Sequence, residues 1–113
     1  MKHSIGKNLT AGEANTLVTV PAGYIAVISM LFINNAGGST KSVAAAWNNG
    51  TTITFQSAKS VSSGESLQFG GEFGYFLVLS EGDSITITPE ASSTFTAIIS
   101  FDLERQAPSR VTF

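Results

Sequence analysis

The chain has 113 residues, enough for one domain that buries a core without metals or disulfides. It contains no cysteine, which excludes a disulfide framework, a thiolate metal site and a thiol nucleophile. Its net charge of −2 and six cations, scattered except near the C-terminus, leave no electrostatic footprint for nucleic acid.

In chain order, residues 1–12 contain Gly6-Lys7-Asn8 and Ala11-Gly12 and read as an N-terminal arm or edge strand. Residues 15–20 form a brief strand that stops at Pro21-Ala22-Gly23, proline and glycine standing where a turn needs them. Residues 24–33 are apolar on both faces. Ile25, Val27, Leu31 and Ile33 make one set, and Tyr24, Ala26, Ile28, Met30 and Phe32 the other. The valine and isoleucine content and the Asn34-Asn35-Ala36-Gly37-Gly38 flank predict a central strand buried on both faces. A loop over 34–39 precedes a strand over 41–48 with Val43, Ala45 and Trp47 on one face. Asn48-Asn49-Gly50 predicts a hairpin with a two-residue type I′ turn, since asparagine and glycine accept positive φ.

Residues 51–57 alternate, with Ile53 and Phe55 opposite Thr52, Thr54 and Gln56, and 57–64 read as a polar link. Residues 65–69 alternate weakly with Leu67 and Phe69 inward, and Gly70-Gly71 interrupt them. The plan is plainest over 75–88. An apolar run ends at Ser80-Glu81-Gly82-Asp83 and the alternating Ser84-Ile85-Thr86-Ile87-Thr88 leaves, either as a hairpin or as the corner of a sandwich. Residues 94–103 set Phe95, Ala97, Ile99, Phe101 and Leu103 on one face, and only Ile98 breaks the alternation. About eight strands at sandwich spacing, and no helical period, predict an all-β fold. We expect a compact antiparallel β-sandwich, jelly-roll-like, over 13–104, with short arms at 1–12 and 105–113.

Chemistry is sparse. The single histidine, His3, lies on the predicted arm, too loosely held for a catalytic triad and alone for a metal site. Glu81 and Asp83 are too few oxygens for calcium, and Asp83 reads as an acceptor for backbone donors of its own turn. Gly70-Gly71-Glu72-Phe73-Gly74 lacks the Lys-Ser/Thr of a phosphate loop. We therefore expect no catalytic residue, no metal and no cofactor. The apolar run over 24–33 is short of the ~20 residues of a membrane helix, so no membrane partner is expected. No apolar segment follows Met1-Lys2-His3-Ser4, which predicts synthesis in a cytoplasm without a signal peptide or Sec export.

The remaining candidates bind partners. Only 12% of residues are charged, and a surface of Ser, Thr, Asn, Gln and Gly desolvates cheaply against neighbours. On the C-terminal arm, Val111 and Phe113 could dock into a neighbouring subunit beyond Pro108, with Arg105 and Arg110 pairing acids there. Trp47, Phe73 and Tyr75, with Tyr24, could anchor a protein interface or form a sugar-stacking platform.

Val20-Pro21-Ala22-Gly23-Tyr24 leads into a long apolar strand ending Phe32-Ile33-Asn34-Asn35. Gly64-Glu65-Ser66-Leu67 follows, then Leu79-Ser80-Glu81-Gly82-Asp83-Ser84-Ile85 and Ser100-Phe101-Asp102-Leu103-Glu104. Over residues 14–104 this order resembles the small β-sandwich virion structural proteins of tailed bacteriophages, a group that includes capsid decoration (cement) proteins. The resemblance implies a non-enzymatic protein on the capsid surface of a virion, bound to the major capsid protein or other virion proteins. It also implies a homo-oligomer or neighbour contacts, and no nucleic-acid partner. A head–tail or tail component, or a carbohydrate-binding module, are the alternatives.

Overall fold

The structure is a computed structural model in which residues 1–71 and 76–106 are described. The strands are β1 (Lys2–Asn8), β2 (Asn15–Thr19), β3 (Tyr24–Asn35), β4 (Lys41–Asn48), β5 (Thr52–Val61), β6 (Ser66–Gly70), β7 (Leu77–Leu79), β8 (Ser84–Pro89) and β9 (Phe95–Arg105). All pair antiparallel, and the pairs nest: β1 with β9, β2 with β8, β3 with both β6 and β7, β4 with β5. The chain is thus one long hairpin with its tip between β4 and β5, folded over so that strands cross from sheet to sheet. One sheet runs β1-β9-β3-β6 with β7 also on β3, and the other runs β2-β8-β4-β5. This is a jelly roll, as the strand pattern predicts.

The core is the set of inward residues from each alternating strand. Ile28, Leu31, Ile33, Phe95 and Ile99 of the first sheet meet Val43, Ile85 and Ile87 of the second, all essentially inaccessible to solvent. Three polar residues are buried with them, and each is an acceptor or donor for loop backbone. Asn35 donates to the Ser39 and Val61 carbonyls at 2.9 and 2.8 Å and accepts from Gly37 N at 3.0 Å. Asn15 accepts from Thr10 N at 2.8 Å and donates to the Glu13 carbonyl at 2.9 Å. Asp83 does the same service at the opposite corner, described below. No buried side-chain nitrogen or oxygen among the described residues lacks a partner.

Several expectations are corrected. The segment over 24–33 is buried on one face only, because a two-layer sandwich offers a central strand one covering layer. A bulge at Ser29 also switches its parity: the register against β9 shifts between Ile28 and Met30. Ala26 and Ile28 before the bulge, and Leu31, Ile33 and Asn35 after it, therefore share the inner face. The polar stretch over 57–64 is largely strand. β5 runs to Val61 as an edge with two register shifts against β4, the irregularity by which exposed edges avoid pairing further. The β4–β5 hairpin closes at the Asn48–Thr52 pair with a three-residue loop, not two, and Gly50 holds φ 94° within it. The loop predicted over 34–39 begins later, since β3 continues through Asn35. His3 sits within β1, its ring stacked on Phe101 at 5.4 Å, rather than on a loose arm. Of the predicted C-terminal arm, Arg105 belongs to β9, paired with Tyr24; Pro108, Arg110, Val111 and Phe113 lie outside the described residues.

Residues 77–88 make the sandwich corner, the second of the two forms the sequence allows. β7 stays on β3 in the first sheet while β8 crosses to the second. The Asp83 carboxylate accepts from Ser80 N at 3.0 Å, and Asp83 N donates to the Ser80 carbonyl at 3.0 Å. Gly82, at φ 83°, donates to the Val20 carbonyl, and Glu81 accepts from Gly23 N at 2.8 Å. The acidic triplet is therefore a structural clasp between two turns.

Candidate interaction surface

The surface that stands out is the outer face of the five-stranded sheet. Register places its residues in rows across β1, β9, β3 and then β6 or β7. Asn8, Thr96, Asn34 and Ser66 form one row, and Gly6, Ile98, Phe32 and Gln68 the next. Ser4, Ser100, Met30 and Gly70 follow, then Lys2, Asp102, Val27 and Val78. The middle of the face is apolar. Ile98 is 43% and Val78 41% exposed, while Val27, Met30 and Phe32 are half-buried only by their neighbours in the sheet. Among the described residues charge lies at one end of the face, with Lys2, Asp102 and Glu104, and the other end carries amides and hydroxyls.

Local chemistry explains this geometry. Ser29 bulges where β6 ends and β7 has not begun, and its hydroxyl donates to the Ser100 carbonyl at 3.0 Å. Its own carbonyl accepts from Gly71 N at 2.8 Å, and Ile28 O accepts from Phe76 N at 3.0 Å, so both feet of the intervening segment are tied to β3. A Cβ on Gly70 would lie 2.4 Å from the Ser29 oxygen, and Gly70 holds φ 73°, so only glycine fits there. Near the bulge the face has a depression of about 500 Å³ lined by Lys2, Ser4, Val27, Ser29, Ser100 and Asp102, with the His3–Phe101 pair on its inner side. The N-terminal ammonium donates to Asp102 at 2.6 Å, and this bond, with the charge attraction behind it, holds the carboxyl below its ordinary value against some desolvation.

The residues singled out from sequence do not converge. Trp47, in the other sheet, packs half-buried against the core and donates its indole N–H to Asp83 at 3.2 Å. Tyr24 packs against the same core from β3, so the two do not form an outward aromatic platform. Arg105 is exposed at the end of β9. Phe73 and Tyr75 lie outside the described residues. Among the described residues no three His, Asp or Glu side chains come together as metal ligands would. The apolar outer face is signalled in the sequence by Ile98 and by residues 24–33, apolar on both faces as a strand covered by a second sheet or subunit would be; that Val27 joins Met30 and Phe32 on it follows from the bulge at Ser29.

No family model matches the chain, and no curated protein does. Solved structures match by fold. One, from work on Bacillus endospore appendages described as disulfide-linked pili, superposes with a TM-score of 0.57 at 14% identity, covering 95% of this chain and 87% of that one. The globular domain of zebrafish complement 1qA protein gives 0.53 at 14% identity, over 93% and 98%. The chain shares their β-sandwich fold. A chain of the T13 IBDV viral particle gives 0.45 at 10% identity and is covered over 36% of its length. Without cysteine, the present chain cannot form the disulfide links of the appendage pili.

Proposed function

We propose that the protein is a non-enzymatic structural subunit, a decoration protein that binds the major capsid shell of a tailed phage and strengthens it. The observation that carries this reading is an apolar patch on the outer sheet face, covered by no described residue, on a jelly roll whose interior polar groups are all partnered among the described residues. Such a patch serves association, since single exposed apolar residues are ordinary but a cluster drawn from β3, β7 and β9 is not. The low charge supports the same reading, because a neutral hydroxyl-rich surface loses little on desolvation. The resemblance of the turn and strand-entry motifs to phage virion proteins supplies the particular assembly. The glycan-binding alternative is weakened by Trp47, whose indole is committed to Asp83.

The test mixes purified protein with expanded capsids that lack it and separates bound from free on a density gradient. Saturable co-sedimentation at many copies per particle supports decoration. Binding at only a few sites at one vertex would replace it with a neck or tail role. No binding to any particle, with Trp47 fluorescence quenched by sugars, would overturn it in favour of a glycan module.

A further inference from the structure

We propose that the outer face of the five-stranded sheet packs against the same face of a second copy. This rests on the reading of the chain as an assembly subunit and names the partner of that face.

Size is the first argument. Four strands side by side at about 4.8 Å, each contributing about nine residues at about 3.4 Å, make a face of roughly 600 Å². Two copies would bury roughly 1,200 Å², above the ~1,000 Å² a specific interface needs. The anatomy also fits. Val27, Met30, Phe32, Val78 and Ile98 form an apolar centre, to which Gly6 and Gly70 add no side chain, and Asn8, Gln68, Lys2 and Asp102 rim it.

Charge fixes the orientation. Lys2, Asp102 and Glu104 occupy one end, and the opposite row of Asn8, Thr96, Asn34 and Ser66 is uncharged. A two-fold axis along the strands would lay β9 on β3 and set Asp102 and Glu104 of one copy over Val27 and Ile25 of the other, where the carboxylates find no donor. A two-fold axis across the strands lays the charged end on the amide and hydroxyl end, where they do. It also lays β9 on β9 and β3 on β3, bringing the Met30 thioether towards the Phe32 ring of the other copy. The contact is isologous, so it closes as a dimer and leaves the sheet edges free for other neighbours. Among the described residues no charged side chain lies in the centre to select a partner of different chemistry.

The full chain is tested by light scattering and sedimentation at about 100 µM, a concentration suited to an interface of this size. We expect twice the 11.8 kDa chain mass. Ile98→Asp should give a folded monomer, and Thr88→Asp on the opposite sheet should leave the dimer intact. A monomeric wild-type protein, or a dimeric Ile98→Asp, overturns the proposal. Should Ile98→Asp fail to fold, single-cysteine variants decide, since the chain has no native cysteine. Ser100→Cys should be joined to its copy by a short bis-maleimide at least about tenfold faster than Thr88→Cys, and equal rates refute the contact. A dimer that ignores capsids upholds this inference and sinks the capsid reading. A monomer whose capsid binding is lost in Ile98→Asp does the reverse.

Discussion

Replacing Asp83 by alanine isolates the clasp that turns the chain from one sheet to the other. The carboxylate is 8% exposed and accepts two hydrogen bonds, from Ser80 N at 3.0 Å and Trp47 Nε1 at 3.2 Å. Bonds to a charged group contribute about 1.5–3 kcal/mol each, but alanine also relieves the desolvation of the acid, and the exposed Ser80 amide recovers water. The net loss should be about 2 kcal/mol, which for a chain of this length lowers Tm by about 8 °C. The corner itself should persist, because the Asp83 backbone bonds with Ser80 and Val20 do not involve the side chain. The substitution Asp83→Asn keeps an acceptor oxygen for both donors and should cost about half as much. Urea unfolding followed by fluorescence reads this directly, as Trp47 is the chain's single tryptophan and one of the two donors. A shift under about 0.5 kcal/mol for alanine, or asparagine as damaging as alanine, would refute the clasp.

Three further outcomes are expected. Asn35→Ala strands the Ser39 and Val61 carbonyls and the Gly37 amide, and should lower stability by about 3 kcal/mol in the same urea assay. Asn35→Asp should be no better, since its carboxylate would face two carbonyl oxygens. Gly70→Ala combines a positive φ with a Cβ 2.4 Å from the Ser29 oxygen, and should cost about 3 kcal/mol, measured by thermal unfolding. Glu90 accepts from Ser42 N at 2.7 Å, and this bond, aided by Lys41 and opposed by desolvation, sets its pKa below the ordinary 4.5. Because the folded value is the lower one, the stabilisation is complete above about pH 4.5 and is lost as pH falls through the folded value. Glu90→Gln should therefore flatten the fall in urea midpoint over that acid range while leaving its neutral-pH slope unchanged.

Sheet membership was legible in the sequence wherever alternation was strict. Residues 94–103 and 84–88 declared their inner faces correctly, and Asp83 could be read as a turn acceptor because Gly82 beside it made the turn. The faces of residues 24–33 could not be assigned by parity. A bulge adds one residue at Ser29, and nothing in Ile28-Ser29-Met30 announces it, because the cause lies across the ladder in β9 and in the gap between β6 and β7. Asn35 reads as a loop residue, since its burial depends on three loop backbone groups that converge only in the fold. Strand β5 was half hidden for a related reason. An edge strand with bulges needs no apolar alternation, so Ser57, Lys59 and Ser60 look like a link. The outer face was legible only in part. Ile98 marked it, but the row formed with Phe32 and Gly6 appears only once register is known.

The central claim is that this jelly roll strengthens a shell by binding to it. Its most direct test is the temperature at which expanded capsids release their genome, measured with and without saturating wild-type protein. Decorated particles should hold their genome to a higher temperature, with a rise that follows occupancy until sites are full. Protein that binds the particles to saturation and leaves the release temperature unchanged would contradict it.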